Sequence, residues 1–387
     1  MAIISEIYRQ IIAEAGIAGV ALTLLALALF IVELTCFTRY RSRITSHSNK
    51  GARPKEGDEG ISVIVIVGND YPYIETTLPR IMAQDHPRFE LVMVELGTEP
   101  EFSDEVALLK IRYPNLLTTR MDDDPRFPIS RKMAYNIGIK AASYENILLT
   151  TDCATPVSEK WLSGMAKGFA RGEVVLGYCG MEIRKGVANA SMRCGRLMSS
   201  VRSLSAAIGG KPYRGTIHNF GFRRELYFRH KGFGYLNMNL GEDDLFLQRI
   251  VSTAGTSVVI NPHATVRETQ WSGIGWWKEQ CKFTRATFPY YTARAKRIER
   301  AEPAARLWFY LCVAATAIIS PLLLGPAALA LWLLRAAIVR RQMWRIRLRL
   351  GERGLGWAMS LYDLYEPFQR IWFRISSVIN PPKGVWR

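Results

Sequence analysis

Three carboxylates stand side by side in Gly241-Glu242-Asp243-Asp244-Leu245, at the end of an apolar and aromatic stretch. Adjacent acids repel one another, which raises at least one pKa unless bases or a cation compensate, and a carboxyl poised in that way suits a general base. Such a base is needed when an acceptor hydroxyl must lose its proton while attacking an anomeric carbon. The same acids would also suit a solvated helix N-terminus, where negative charge complements the dipole. A lone carboxylate follows another apolar run in Thr151-Asp152-Cys153-Ala154-Thr155-Pro156. Mg2+ and Mn2+ prefer hard oxygen ligands and neutralise charge building on a leaving diphosphate, which makes Asp152 the candidate metal ligand. Its other use is to cap the turn before Pro156.

Three further segments carry polar groups of the right kind. Gly68-Asn69-Asp70 ends a buried apolar run and could hold a nucleotide base or ribose, although Asn and Asp are also ordinary turn residues. Glu95-Leu96-Gly97-Thr98-Glu99 ends a second run. In Trp276-Trp277-Lys278-Glu279-Gln280-Cys281-Lys282-Phe283-Thr284-Arg285, Lys282 and Arg285 lie three apart on a helical pattern, so both could face one phosphate, with aromatic rings beside them. An amphipathic helix resting on a membrane surface would use the same residues.

The elements that would position these groups alternate. SVIVIV (62–67), LVMV (91–94), NILLT (146–150), EVVLG (173–177) and SVVI (257–260) are short apolar runs rich in β-branched residues, the pattern of strands. Helix-length patterns lie between the early ones: YIETTLPRIMAQ, DEVALLKIRY and SRKMAYNIGIKAAS. That order predicts an α/β domain over 61–290 with a mostly parallel sheet, whose ligands bind beyond the carboxyl ends of the strands.

Apolar segments flank this domain. AGIAGVALTLLALALFIV (15–32) carries no charge and is long enough to cross a bilayer, giving an N-terminal helix and anchor over 1–37. Arg39, Arg41, Arg43, Lys50, Arg53 and Lys55 follow it in an expected basic linker (38–60) and place that side in the cytoplasm. A basic connector (291–306) leads to a second apolar stretch, interrupted by Pro321, Gly325 and Pro326 and read as a membrane hairpin over 307–335. Eleven bases against three acids follow from Arg335 onward, in a basic interfacial tail over 336–387. Both flanks of the hairpin therefore belong on the cytoplasmic side.

Lys and Arg outnumber Asp and Glu by 51 to 34, a net charge of +17. The surplus gathers beside the apolar segments, without zinc-finger spacing or RNP-type aromatics, so membrane phospholipid and not nucleic acid is the expected partner. Six cysteines without a CxxC pair or framework read as reduced thiols.

Taken in order, these segments resemble family-two glycosyltransferases of the GT-A fold, in particular bacterial membrane-anchored members of cell-surface glycan pathways. The resemblance covers 61–285 and rests on SVIVIVGND with Gln84-Asp85-His86-Pro87, on SRKMAYNIGIKAA, on Pro156 with Ser158 and Trp161, and on PYRGTIHNFGFRRELYFRHKGF leading into GEDDL. It implies an inverting transferase of the bacterial inner membrane that moves sugar from a nucleotide-diphosphate donor to a lipid-linked or cell-surface glycan acceptor. Asn69 and Asp70 would lie at the nucleotide, Lys132 near the diphosphate, and Gln280 with Arg285 would close the donor site. Asp243 would be the catalytic base, preceded by Glu242 and followed by Asp244.

Two departures stand out. The usual Asp before the Gly of the second loop is Leu96 here, with Glu95 one position earlier. The metal-binding Asp-x-Asp has Thr151 and Cys153 at its acidic positions, so Asp152 serves from a shifted backbone, or metal affinity is weak, or activity is lost. A catalytically inactive scaffold or binding subunit is the alternative from a different class. A processive polysaccharide synthase would carry Gln-x-x-Arg-Trp, where this chain has Phe283 in place of the Arg.

Overall fold

The computed structural model describes residues 2–48, 60–121, 130–236, 238–251, 254–270 and 273–382, with backbone alone for 2–15. Its strands are β1 (Ile61–Val67), β2 (Phe89–Leu96), β3 (Leu116–Met121), β4 (Asn146–Leu149), β5 (Ala154–Pro156), β6 (Val174–Leu176), β7 (Cys179–Met181), β8 (Phe220–Arg223), β9 (Thr256–Val258) and β10 (Val266–Glu268). Its α-helices are α1 (Ala2–Ser46), α2 (Leu78–Met82), α3 (Pro100–Arg112), α4 (Arg131–Ala141), α5 (Trp161–Phe169), α6 (Val187–Ile208), α7 (Arg224–Arg229), α8 (Leu245–Ile250), α9 (Ile274–Ala286), α10 (Ala293–Ile319), α11 (Leu324–Arg349) and α12 (Gly356–Ile379).

The main sheet has the order β3-β2-β1-β4-β8-β6-β9, and a small sheet has the order β5-β10-β7. Strands β3, β2, β1 and β4 run parallel, whereas β8 lies antiparallel between β4 and β6. Every residue of β1 is buried, as expected of a β-branched strand covered on both faces. Ile61, Val63, Val65 and Val67 face a core shared with α2, α3 and α5, while Ile64 and Ile66 face one shared with α4, α6 and the end of α1. At Gly138 of α4 a Cβ would come within 2.7 Å of Ile64 Cγ2 and 2.9 Å of Val94 Cγ2, so the absent side chain sets how closely this helix lies on the sheet.

Two boundaries differ from expectation. The basic stretch after the anchor is helical as far as Ser46, because Phe37, Tyr40 and Ile44 recur at helical spacing among the arginines and bury against the domain. Arg43 Nη1 also donates to Ser205 O at 3.1 Å, and the remainder of the linker, 49–59, lies outside the described residues. The second apolar stretch forms the facing ends of α10 and α11, which meet in a turn at 320–323 containing Pro321. Gly325 and Pro326 fall in the first turn of α11, where a missing N–H costs no intrahelical bond.

Among the described residues, 16–46 and 293–319 are two helical segments long and apolar enough to cross a membrane. Charged groups buried between the helices tie them together. Arg335 of α11 pairs with Glu33 of α1 and Asp363 of α12, and Arg306 of α10 donates to Asp363 Oδ1 at 2.8 Å while also pairing with Glu366. Arg202 of α6 extends the chain to Glu302 Oε2 at 3.1 Å. Helix α12 has two faces: Met359, Tyr362 and Phe373 are buried, while Leu361, Leu364, Phe368, Trp372 and Ile375 are exposed.

Candidate active site

The three neighbouring acids do different things. Asp244 caps α8 and is buried, with Oδ2 accepting from the hydroxyls of Thr287 (2.5 Å) and Tyr291 (2.7 Å), so it fastens the loop to the segment after α9. Glu242 is buried, and burial raises its carboxyl while Arg131 and Lys132 pull it back. Asp243 is half-buried, with Oδ2 accepting from Ile217 N at 3.0 Å and its backbone oxygen from Gly215 N at 2.8 Å. Burial first, then the charges of Asp244 and Glu242, push the Asp243 carboxyl up to about 7, against Arg214 and the Ile217 bond. A carboxyl held there exchanges its proton near neutral pH.

The stretch 216–219 links Asp243 to the loop after β4. His218, next to Ile217, shares a 2.7 Å hydrogen bond between Nδ1 and Thr151 Oγ1, and its backbone oxygen accepts from Thr150 Oγ1 at 3.1 Å. Burial lowers the His218 pKa to about 4, so the ring is neutral and acts as a strut. Asn219, one residue on, accepts from Trp161 Nε1 at 3.0 Å and donates to Tyr178 O and Ala264 O. Arg131, the first residue of α4, acts electrostatically on both Asp152 and Glu242. Loops after β1 and β4 and the loop before α8 thus share one electrostatic environment: burial raises Asp152, with Asp70 adding to the rise and Arg131 opposing it.

The other expected residues are distributed as follows. Asp70 accepts from Tyr73 N at 3.1 Å and from Gln270 Nε2 at 3.4 Å, and Asn69 accepts from Glu99 N at 2.9 Å, joining the first two loops. Glu95 is buried, and its Oε2 takes bonds from Ser103 Oγ at 2.6 Å and Thr98 Oγ1 at 3.3 Å, a network that shapes the second loop. Lys132 is buried with Nζ donating to Leu236 O at 2.6 Å. Gln280 is half-buried on α9, where its backbone oxygen accepts from Thr284. Lys282 and Arg285 turn toward the C-terminal helix: Lys282 Nζ donates to Asn380 O at 3.0 Å, and Arg285 Nη1 to Arg370 O at 3.3 Å. Their helical spacing was real, but the surface they meet is protein.

A divalent cation at Asp152 would find few ligands. Asp152 Oδ1 accepts from Cys153 N at 2.9 Å, and the Thr151 hydroxyl is engaged by His218. Burial, followed by Glu268, pushes the Cys153 thiol up to about 12, so it offers no thiolate, and hard cations prefer oxygen in any case. Among the described residues no group of three His, Cys, Asp or Glu side chains could hold a metal ion. The residues present therefore fit a protein-held cation poorly.

Sequence reasoning passed over Arg131 and His218. Ser130 before an apolar-periodic run marks a helix start, which would have placed Arg131 at the ligand edge of the sheet. No local signal marks His218, whose partner lies 67 residues away.

In comparisons with known proteins, a search of curated proteins returns no match. Among solved structures, the mannosyltransferase PcManGT from Pyrobaculum calidifontis, in complex with GDP-Man and Mn2+, is similar with a TM-score of 0.53 and 20% identity, covering 89% of this chain and 99% of that chain. TarS 1-349 of S. aureus in complex with UDP-GlcNAc gives a TM-score of 0.42 and 14% identity, covering 80% of this chain and 92% of that chain. The first likeness shows a shared glycosyltransferase fold. The family model that matches is numbered 21, where the motifs had resembled family two, and it spans residues 20–374. With nearly its whole length matched, the chain belongs to glycosyl transferase family 21.

Proposed function

We propose that this glycosyltransferase moves one hexose-type sugar from a nucleotide-diphosphate donor to a lipid-linked or cell-surface glycan acceptor, with inversion. In this reading Asp243 takes the proton of the acceptor hydroxyl as its oxygen bonds to C1, and the C1–O bond to the diphosphate breaks on the opposite side. The observation that carries the reading is the binding of the Asp243 carboxylate to Ile217 N beside His218, which reaches across to the Asp152 loop. The proposed base and the loop expected to face the diphosphate are thus tied together through Ile217 and His218. The parallel β3-β2-β1-β4 order with antiparallel β8 supports a GT-A sheet.

The apolar helices and the bases beside them support anchoring in a bacterial inner membrane, with the domain over 61–290 on the cytoplasmic side. Asn69, Asp70, Glu95, Lys132 and Gln280 remain the proposed surroundings of the donor, some by direct contact and others by shaping loops, and Arg285 would join them by leaving its bond to Arg370 O. The Thr151-Asp152-Cys153 loop favours the alternative, an inactive scaffold, whereas an Asp243 held near neutrality favours turnover.

The pH dependence tests the base. Asp243 must be deprotonated to accept a proton, so kcat/KM should fall as pH drops through about 7 and level off above it. A rate unchanged between about pH 5 and 8 would remove Asp243 from that role.

A further inference from the structure

The poor donor set at Asp152 raises the question of what supplies positive charge where the diphosphate departs. A helix between parallel strands runs back against them, so its amino end lies at the ligand edge of the sheet. For α4 this direction is visible: Ser143, just past its end, donates to Glu90 Oε1 at 2.5 Å, at the beginning of β2. Its first residue, Arg131, is therefore at the opposite edge, with its side chain exposed. There its charge acts on Asp152, Glu242 and His218, which come from three separate loops.

Two buried hydroxyls lie in the same electrostatic surroundings. Tyr73 and Tyr135 are 2% and 1% exposed; the Tyr73 hydroxyl has no hydrogen-bond partner among the described residues, and the Tyr135 hydroxyl meets the Arg131 guanidinium. The charge of Asp152 bears on both, and that of Arg131 on Tyr135. Buried hydroxyls without partners are costly unless something fills the site. A diphosphate would accept from the Tyr73 hydroxyl, from the amino end of α4 and from the Arg131 guanidinium that Tyr135 steadies.

We propose that Arg131, at the start of α4, takes the charge-neutralising place on the donor's diphosphate that a divalent cation would otherwise fill. The inference rests on the transferase reading above. When the C1–O bond breaks, its electron pair passes to the diphosphate oxygen, and Arg131 meets that charge with N–H donors while keeping its own protons. The acceptor proton goes to Asp243, so no proton or co-reactant is left unaccounted for.

The test uses the full chain in detergent, titrated with UDP and separately with GDP, in excess EDTA and again with Mn2+. UMP and GMP are run beside them, and affinity is read by calorimetry. The wild type should bind one diphosphate in EDTA within about threefold of its affinity in Mn2+, since the charge is built into the chain. Arg131→Gln should weaken that diphosphate by about tenfold or more but the monophosphate by less than about threefold, with Arg131→Lys between wild type and Arg131→Gln. Unchanged thermal unfolding of the variants would show that the loss is local. Binding abolished by EDTA and indifferent to Arg131→Gln would assign the role to a cation and overturn the proposal. Equal losses for mono- and diphosphate would also overturn it. If the wild type bound neither nucleotide under any condition, the transferase reading itself would fall.

Discussion

Asp243→Asn is expected to lower kcat by about a thousandfold while leaving donor affinity within about twofold of wild type. The asymmetry follows from what the side chain touches. Asp243 Oδ2 accepts from Ile217 N, and the amide oxygen of Asn can accept the same bond, so the loop and its tie to the Asp152 side should persist. What Asn cannot do is take up a proton at neutral pH. The neighbouring acids offer no substitute: Asp244 is held by Thr287 and Tyr291, and Glu242 lies buried. The measurement is single-turnover transfer with donor binding on the same preparation. Turnover within tenfold of wild type would place the base elsewhere.

Arg306→Met is expected to cost about 3 to 5 kcal/mol and to lower the unfolding midpoint in detergent by roughly 10 °C, because it leaves buried acids uncompensated. Arg306 is fully buried and donates to Asp363 while pairing with Glu302 and Glu366. Removing a single guanidinium therefore leaves three carboxylates between helices to be shared by Arg335, Arg202 and Arg370. The apolar replacement fills similar volume, so the loss comes from charge and not from a cavity. Combining Arg306→Met with Glu366→Gln should recover part of the loss, since one of the stranded charges is gone. A midpoint unchanged by Arg306→Met would show that water reaches these acids.

The network also shows what could be read from one sequence. Continuous apolar, β-branched runs predicted β1, β2, β4, β6 and β9, because a strand buried on both faces has a local signature. Strand β3, LLTTRM, lies at the sheet edge with half-exposed residues, and its mixed composition hides it. Three-residue strands such as β5, β7 and β10 exist only through their partners, and nothing local announces them. The triple acid drew attention through mutual repulsion, yet the separation of its members into proposed base, buried neighbour and strut depends on Ile217, Arg131 and Thr287, which are distant in the chain. Lys282 and Arg285 illustrate the reverse case, where helical spacing is legible but the identity of the facing surface is not.

The central claim is that base and donor share one cleft in a working transferase. The most direct test follows a panel of UDP- and GDP-sugars by phosphorus NMR, with the full chain in vesicles carrying a bacterial membrane-lipid extract as acceptor. Conversion of one donor to its nucleoside diphosphate by the wild type, and none by Asp243→Asn, is the predicted result. Equal conversion by both proteins, or no conversion of any donor by the wild type, would contradict the account.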